Sequence, residues 1–190
     1  MIYSYEIDGL PIQTGDIVCT TDGGGDIIAG QFWRLLGRLA PGAVDHVAVY
    51  VGPEGCFIEA GMKGVVVFEV EGNVWLADEM SQRRRQLIDT VYGVAYPVEG
   101  QGLSEEEKMR IRENVGDYCL AQVGKPYNLN FFDPDTEDGF YCSQLPYLAY
   151  LPHGIDLNTG MGVPDVPGTS GIVFPQEIWS GCSHRRVADG

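Results

Sequence analysis

Apolar residues in the middle of the chain come in short β-branched runs separated by glycine-containing turns, a pattern that predicts neighbouring β-strands. The runs are residues 16–20, His46–Gly52, Cys56–Ala60, Gly64–Val70 and Thr90–Pro97. Pro53-Glu54-Gly55 joins two of them as a tight hairpin turn, because proline and glycine supply the backbone conformations that such turns need. A basic patch, Arg83 to Arg85, precedes the last run.

Two other segments have apolar residues at helical spacing. Ser104 is followed by Glu107 in a capping box, and the apolar stripe behind it predicts a helix that stops at Gly124. A second helix is predicted from Ile27 to Leu39, with Asp26 as its N-cap. Both helices lie outside the strand-rich middle of the chain.

The later part of the chain predicts two shorter helices. Residues 140–151 are typical of a buried helix that begins near Cys142, because Pro146 lacks an N–H and is tolerated only in a first turn. Another short helix is expected from Pro175. Strands in the middle with helices before and after them predict an α+β fold, in one domain over residues 1–190.

Charge narrows the possible partners. The chain carries 27 Asp+Glu against 12 Lys+Arg, a formal net charge of −15. Such a surface repels nucleic acid and anionic lipid headgroups, so neither is expected as a partner. The first residues lack a secretory signal, and no apolar run approaches the ~18 residues that cross a bilayer. These features predict a cytoplasmic protein without a membrane anchor and leave its oligomeric state open.

The five cysteines contain no CxxC pair, which argues against a disulfide framework and a zinc ribbon. No metal or other cofactor is expected. Cys142 differs from the other four because unpaired backbone N–H groups and the positive end of the helix dipole would favour its thiolate. From spacing alone, a nucleophile and a buried structural thiol are about equally good interpretations of Cys142.

His46 and Glu59 are the candidate partners of that thiol. His46 begins an apolar strand, where an imidazole is well placed for acid–base work, although without a partner a structural role is the favoured interpretation. Pairing of the two strands about the turn at 53–55 would bring Glu59 near His46 as a cross-strand neighbour. A carboxylate on one ring nitrogen fixes the tautomer and leaves the other nitrogen for the sulfur. The alternative is a glutamate that points to solvent.

Several short motifs together resemble the NlpC/p60 superfamily of papain-like cysteine peptidases, in its circularly permuted YiiX/YaeF-like branch. They are Gly15-Asp16-Ile17-Val18, His46 to Gly52, Ile58-Glu59-Ala60, Gly124-Lys125-Pro126-Tyr127, Tyr141-Cys142-Ser143-Gln144-Leu145 and Pro175 to Ile178. The histidine precedes the cysteine, as in the permuted branch. Gln144 departs from the pattern because many relatives carry Glu there, and residues 133–138 and 158–171 look like insertions that could cover the cleft.

The resemblance implies an antiparallel half-barrel sheet packed against a helix that bears the nucleophile. It implies Cys142 as the nucleophile, His46 as general base and acid, and Glu59 as the residue that orients His46. Tyr127 would lie beside the thiol, and it is expected, with Ser143 and Tyr141, to bind substrate or the oxyanion. The implied activity is a thiol amidase or peptidase that acts on a short peptide, a cell-wall peptide fragment or another amino-acid-containing substrate.

Two other functions remain open at this stage. Lecithin retinol acyltransferase-like enzymes share the permuted order and act on lipid esters, but they usually carry an N-C-E-H-type cysteine motif and a second histidine where Glu59 stands. A non-catalytic module could also keep the fold and bind a small ligand. The presence of all three polar residues favours an enzyme.

Overall fold

The computed structural model describes residues 1–22, 42–84 and 89–188. The helix predicted over Ile27–Leu39 lies outside these ranges. Eight described strands are β1 (Ser4–Ile7), β2 (Leu10–Gln13), β3 (Ile17–Asp22), β4 (His46–Gly52), β5 (Cys56–Gly61), β6 (Gly64–Glu69), β7 (Asp89–Ala95) and β8 (Arg185–Val187). The described helices are α1 (Ala77–Arg84), α2 (Glu105–Ala121), α3 (Gln144–Tyr150) and α4 (Pro175–Gly181), with a 3-10 turn at Leu151–His153.

Six of the strands form one antiparallel sheet in the order β6-β5-β4-β3-β7-β8. The remaining two, β1 and β2, form a separate hairpin. The predicted α+β class is therefore confirmed, while the half-barrel shape stays a prediction. None of the helices within the described ranges is long and apolar enough to cross a membrane.

Side chains alternate between two apolar layers because successive residues of a strand point to opposite faces. Val49 and Ile58 belong to a large buried cluster that also contains Cys142. Tyr50 and Phe57, their immediate neighbours along the strands, belong to a second cluster that contains Trp75. The sheet thus separates the layer that holds the candidate nucleophile from the layer on its other face.

The capping box at the start of α2 is confirmed. The Ser104 hydroxyl accepts the Glu107 N–H at 3.3 Å, and the Glu107 carboxylate accepts the Ser104 N–H at 2.8 Å. Arg112, buried on the same helix, forms a salt bridge of 2.5 Å with Asp16 just before β3. This buried ion pair ties α2 to the sheet.

Helix α3 begins at Gln144, two residues after Cys142. Pro146 is its third residue and so lies in the first turn, where proline is tolerated. The Tyr141 and Ser143 carbonyls accept the Leu145 and Tyr147 N–H groups, so the turn that carries Cys142 continues directly into the helix.

Candidate active site

The register of β4 and β5 places Glu59 close to His46. Val49 pairs with Ile58; counting along both strands, Glu59 falls opposite Ala48, and His46 is the next residue on that face. The Glu59 carboxylate lies 2.8 Å from Nε2 of His46. The Glu59 side chain is fully buried, whereas the His46 side chain is 16% exposed.

Cys142 reaches His46 from the other layer of the molecule. Its side chain is buried in the cluster that contains Val49 and Ile58, and it lies close enough to the His46 ring to raise the pKa of that ring. Since Glu59 occupies Nε2, the nitrogen that remains for the sulfur is Nδ1. His46, the first residue of β4, thus joins a carboxylate on one face of the sheet to a thiol on the other.

The charges around the ring favour imidazolium. Burial alone would lower the pKa of His46, but the charge and hydrogen bond of Cys142, together with Glu59, raise it to about 10. Burial alone would raise the pKa of Glu59, but His46 and Arg84 lower it below its ordinary value. At neutral pH the arrangement therefore holds an ionised carboxylate against a protonated ring.

Tyr127 lies beside the segment that leads to Cys142. Its backbone forms a parallel bridge with Phe140, flanked by a 3.1 Å bond from the Phe140 N–H to the Pro126 carbonyl and a 3.1 Å bond from the Asn128 N–H to the Phe140 carbonyl. Burial, and then the nearby Cys142 charge, raise the pKa of the Tyr127 hydroxyl, which therefore remains a proton donor at neutral pH. Its role in binding an oxyanion stays a prediction.

Tyr141 and Ser143 both contact the backbone of Val173. The Ser143 hydroxyl donates to the Val173 carbonyl at 2.7 Å, and the Tyr141 hydroxyl accepts the Val173 N–H at 3.2 Å. These bonds hold the chain before α4 against the turn that carries Cys142. The roles of Tyr141 and Ser143 in substrate binding stay predictions.

Comparison with known families identifies the chain. Residues 23–161 match the family described as permuted papain-like amidase enzyme, YaeF/YiiX, C92 family. The chain belongs to this family. His46, Glu59, Tyr127 and Cys142 all lie within the matched residues, whereas Asp16 and the Pro175 segment lie outside it. Searches of curated proteins and of solved structures gave no match.

Membership of the YaeF/YiiX family confirms the resemblance to the circularly permuted papain-like branch. The broader NlpC/p60 assignment stays a prediction. Within the described parts of the chain, no three His, Cys, Asp or Glu side chains are grouped as metal ligands would be.

Sequence reasoning missed the residues behind Glu59. Arg84 donates to Glu59 Oε2 through Nε at 2.9 Å and binds Asp89 through both terminal nitrogens at 2.8–3.0 Å. The sequence presents Arg84 only as the centre of a basic patch. Its position at the end of α1, five residues before an aspartate that opens β7, is visible only once the helix and strand are known.

Gln144 has a place that the sequence did not predict. Its side-chain oxygen accepts the Asn128 amide at 3.0 Å and the Tyr141 N–H at 3.2 Å. Its nitrogen donates to the carbonyls of Pro134 and Thr136 at 3.0 and 2.9 Å. Gln144 therefore ties the loop between Tyr127 and Phe140 to the start of α3.

Proposed function

We propose that this YaeF/YiiX-family protein is a thiol amidase or peptidase that cleaves an amide bond in a short peptide or a cell-wall peptide fragment. Cys142 is the nucleophile, His46 the general base and acid, and Glu59 the residue that orients His46. The observation that carries this proposal is the chain of contacts from the Cys142 thiol through the His46 ring to the buried Glu59 carboxylate. A contact chain of this kind activates a nucleophile by an adjacent, oriented base.

The proposed reaction begins with an ion pair. His46 Nδ1 holds the proton of the Cys142 thiol, and the thiolate attacks the amide carbonyl to form a tetrahedral oxyanion. The Cys142 backbone N–H and the Tyr127 hydroxyl are the proposed donors to that oxyanion. The Tyr141 N–H is not one of them, because it already donates to Gln144.

Collapse of the tetrahedral intermediate breaks the C–N bond. His46 protonates the departing amine, and a thioester remains on Cys142. Water then enters and His46 takes its proton. Attack on the thioester releases the carboxylic acid and the Cys142 thiolate, which restores the ion pair with His46. Glu59 keeps the ring in one orientation through both proton transfers and stabilises its charged form.

The lipid acyl alternative has one observation in its favour. Leu129 and Phe132 are 76% and 70% exposed, in the loop that follows Tyr127. Phe131, between them in sequence, packs its ring 6.3 Å from Tyr127. Exposed apolar side chains next to a reactive site can bind an acyl chain, so lipid substrates belong in the test.

Alkylation and turnover together test the proposal. Alkylation by iodoacetamide at pH 5–6, followed by peptide mass spectrometry, is expected to modify Cys142 much faster than the part-exposed Cys56, which serves as the internal control. An ordinary thiol, with a pKa of ~8.5, is almost entirely protonated there. Slow alkylation of both cysteines at that pH would contradict the proposed nucleophile.

Substrate class is decided by turnover. We expect release of a free amine from short peptides, and a loss of about 10³-fold or more in kcat/KM in Cys142→Ala and in His46→Ala. Peptides and acyl lipids are compared with the same enzyme preparation. Transfer of the acyl group from lipid but not from peptide would replace the amidase with the lipid acyl alternative.

A further inference from the structure

A buried chain of polar contacts continues behind Glu59. The Arg84 guanidinium is 1% exposed and binds the same Glu59 oxygen that contacts His46, with its terminal nitrogen at 2.8 Å. On its other side it makes a bidentate pair with Asp89. Asp89 is fixed in turn by the Thr20 hydroxyl at 2.9 Å and by the Trp75 indole, which donates to the Asp89 carbonyl at 3.1 Å.

Aromatic rings hold the guanidinium in this position. Its central carbon lies 5.0 Å from the centre of the Phe68 ring and 4.9 Å from that of Trp75. Cation–π contacts of this kind strengthen as water is excluded. Arg84 is therefore constrained by two carboxylates and two rings, which leaves it one geometry toward Glu59.

We propose that Arg84 is a positioning residue of the candidate active site, which holds the Glu59 carboxylate ionised and aligned for His46 and is itself held by Asp89. This inference rests on the proposed function for its catalytic meaning, although its contacts do not. A fully buried carboxylate with the histidine as its sole charged partner would readily take up a proton. A second cation on the same oxygen prevents this and fixes the oxygen that the ring meets.

The neighbouring arginine provides a matched control. Arg83 is exposed, and it donates to the Glu69 carbonyl at 3.1 Å and to Glu71 at 2.8 Å. It has the same chemistry, lies on the same helix and has no described contact with Glu59. Arg83→Met therefore removes an arginine from α1 without disturbing the chain behind the site.

The acid limb of the pH profile for Cys142 alkylation is the first readout. In Arg84→Met, Glu59 keeps its burial but loses the cation that helps to lower its pKa, so the ring loses its carboxylate at a higher pH. We expect the acid limb to move up by about one pH unit or more, where one unit corresponds to a tenfold change in the protonation equilibrium. Arg84→Lys, which keeps the charge, and Arg83→Met should leave the limb near that of the parent protein.

A second variant distinguishes a loss of folding from a loss of the positioning of Glu59. Arg84→Met/Asp89→Asn removes both charges of the buried pair, so no carboxylate is left without its cation at position 89. The same upward movement of the acid limb is expected there. A lower rate at every pH with an unmoved limb would mean that Arg84 is merely structural and would overturn the proposal.

The third readout does not depend on catalysis. The chain has three histidines, so the His46 ring can be followed by NMR in the parent protein, Arg84→Met and Arg83→Met. The acid inflection of the His46 signal, which reports protonation of Glu59, should move up only in Arg84→Met. If the Cys142 thiol of the parent protein proves unreactive, the proposed function fails, while this shift still supports the positioning role of Arg84. If the thiol is reactive and the inflection does not move, only the positioning role of Arg84 is overturned.

Discussion

His46 is the residue at which the two layers of the molecule meet. His46 is the first residue of β4. Its ring contacts a buried carboxylate on one face of the sheet and a thiol that belongs to the other layer. A ring placed between two groups that both favour a positive charge stays protonated far above its ordinary range. That property has a consequence for folding as well as for chemistry.

The raised pKa of His46 predicts how stability depends on pH. The folded pKa is about 10, against ~6.5 for an unfolded histidine, so the contribution of His46 is fully present below about pH 6.5 and is lost as pH rises through 10. The free energy of unfolding is measured by urea titration at pH 6 and at pH 10. Its fall between these two pH values should be smaller in His46→Ala than in the parent protein, by about 1 kcal/mol or more. His184→Ala, which changes an exposed histidine, is the control; parallel curves for His46→Ala and the parent protein would refute the prediction.

The sequence points to the candidate site residues more readily than to the residues that hold them in place. Cys142, His46 and Glu59 stand in short motifs whose residue types carry the chemistry, so each can be selected without coordinates. Arg84 cannot be distinguished from Arg83 in the same way. Its burial depends on Asp89 and on aromatic side chains from β6 and the turn before α1, which only the folded chain brings together.

At the scale of elements, hydrophobic alternation and the capping box correctly predicted strands and a helix. The helix and the strand that lie in charged segments were not predicted. The predicted runs at 16–20, 46–52, 56–60, 64–70 and 90–97 correspond to β3 to β7 within about two residues. Helix α1 was missed because only Met80 and Arg84 are buried along it, which leaves no apolar stripe. Strand β8, with the sequence Arg-Arg-Val, is exposed throughout and is made by pairing with β7.

The hairpin of β1 and β2 was also missed, although the sequence contained the evidence for it. Asp8 and Gly9 form its two-residue turn, and both have positive φ angles of 45° and 76°. Asp-Gly is the residue pair that such turns favour, because glycine adopts this backbone conformation without strain. The alternating residues on either side complete the pattern.

A substitution of Gln144 tests whether its hydrogen bonds hold the loop between Tyr127 and Phe140 in place. Gln144→Glu replaces the nitrogen that donates to Pro134 and Thr136 with an oxygen that faces two carbonyls. Leaving buried polar groups unpaired costs ~1–3 kcal/mol each. We therefore expect amides of residues 130–138 to exchange hydrogen about tenfold faster or more.

Hydrogen-exchange mass spectrometry measures this loosening. The control is Gln101→Glu, because Gln101 is exposed and donates to a single carbonyl, that of Pro97, at 3.1 Å. Unchanged exchange over residues 130–138 in Gln144→Glu would mean that the loop is held by other contacts.

At the scale of the whole molecule, the sheet supplies the proposed base and the carboxylate beside it, and a later segment supplies the proposed nucleophile. His46 and Glu59 come from adjacent strands, whereas Cys142 follows more than 80 residues after Glu59. This order, histidine before cysteine, fits the permuted papain-like family to which the chain belongs. The long separation in sequence means that the candidate site forms only when α3 packs against the sheet.

The net charge acts on this packing through self-repulsion. With a formal charge of −15 at pH 7 and a pI of about 4.3, the folded chain crowds like charges, which destabilises its compact state. Salt shortens the screening distance from about 30 Å at 0.01 M to about 8 Å at 0.15 M, but it screens buried pairs such as Arg84–Glu59 far less.

We therefore expect the free energy of unfolding at pH 8 to rise with sodium chloride over this range of concentrations. Each 1 kcal/mol of added stability appears as a rise of roughly 2–4 °C in Tm. Near pH 4.3 the repulsion vanishes and the gain should disappear; a fall in Tm with salt at pH 8 would mean that exposed ion pairs such as Lys108–Glu99 outweigh the repulsion.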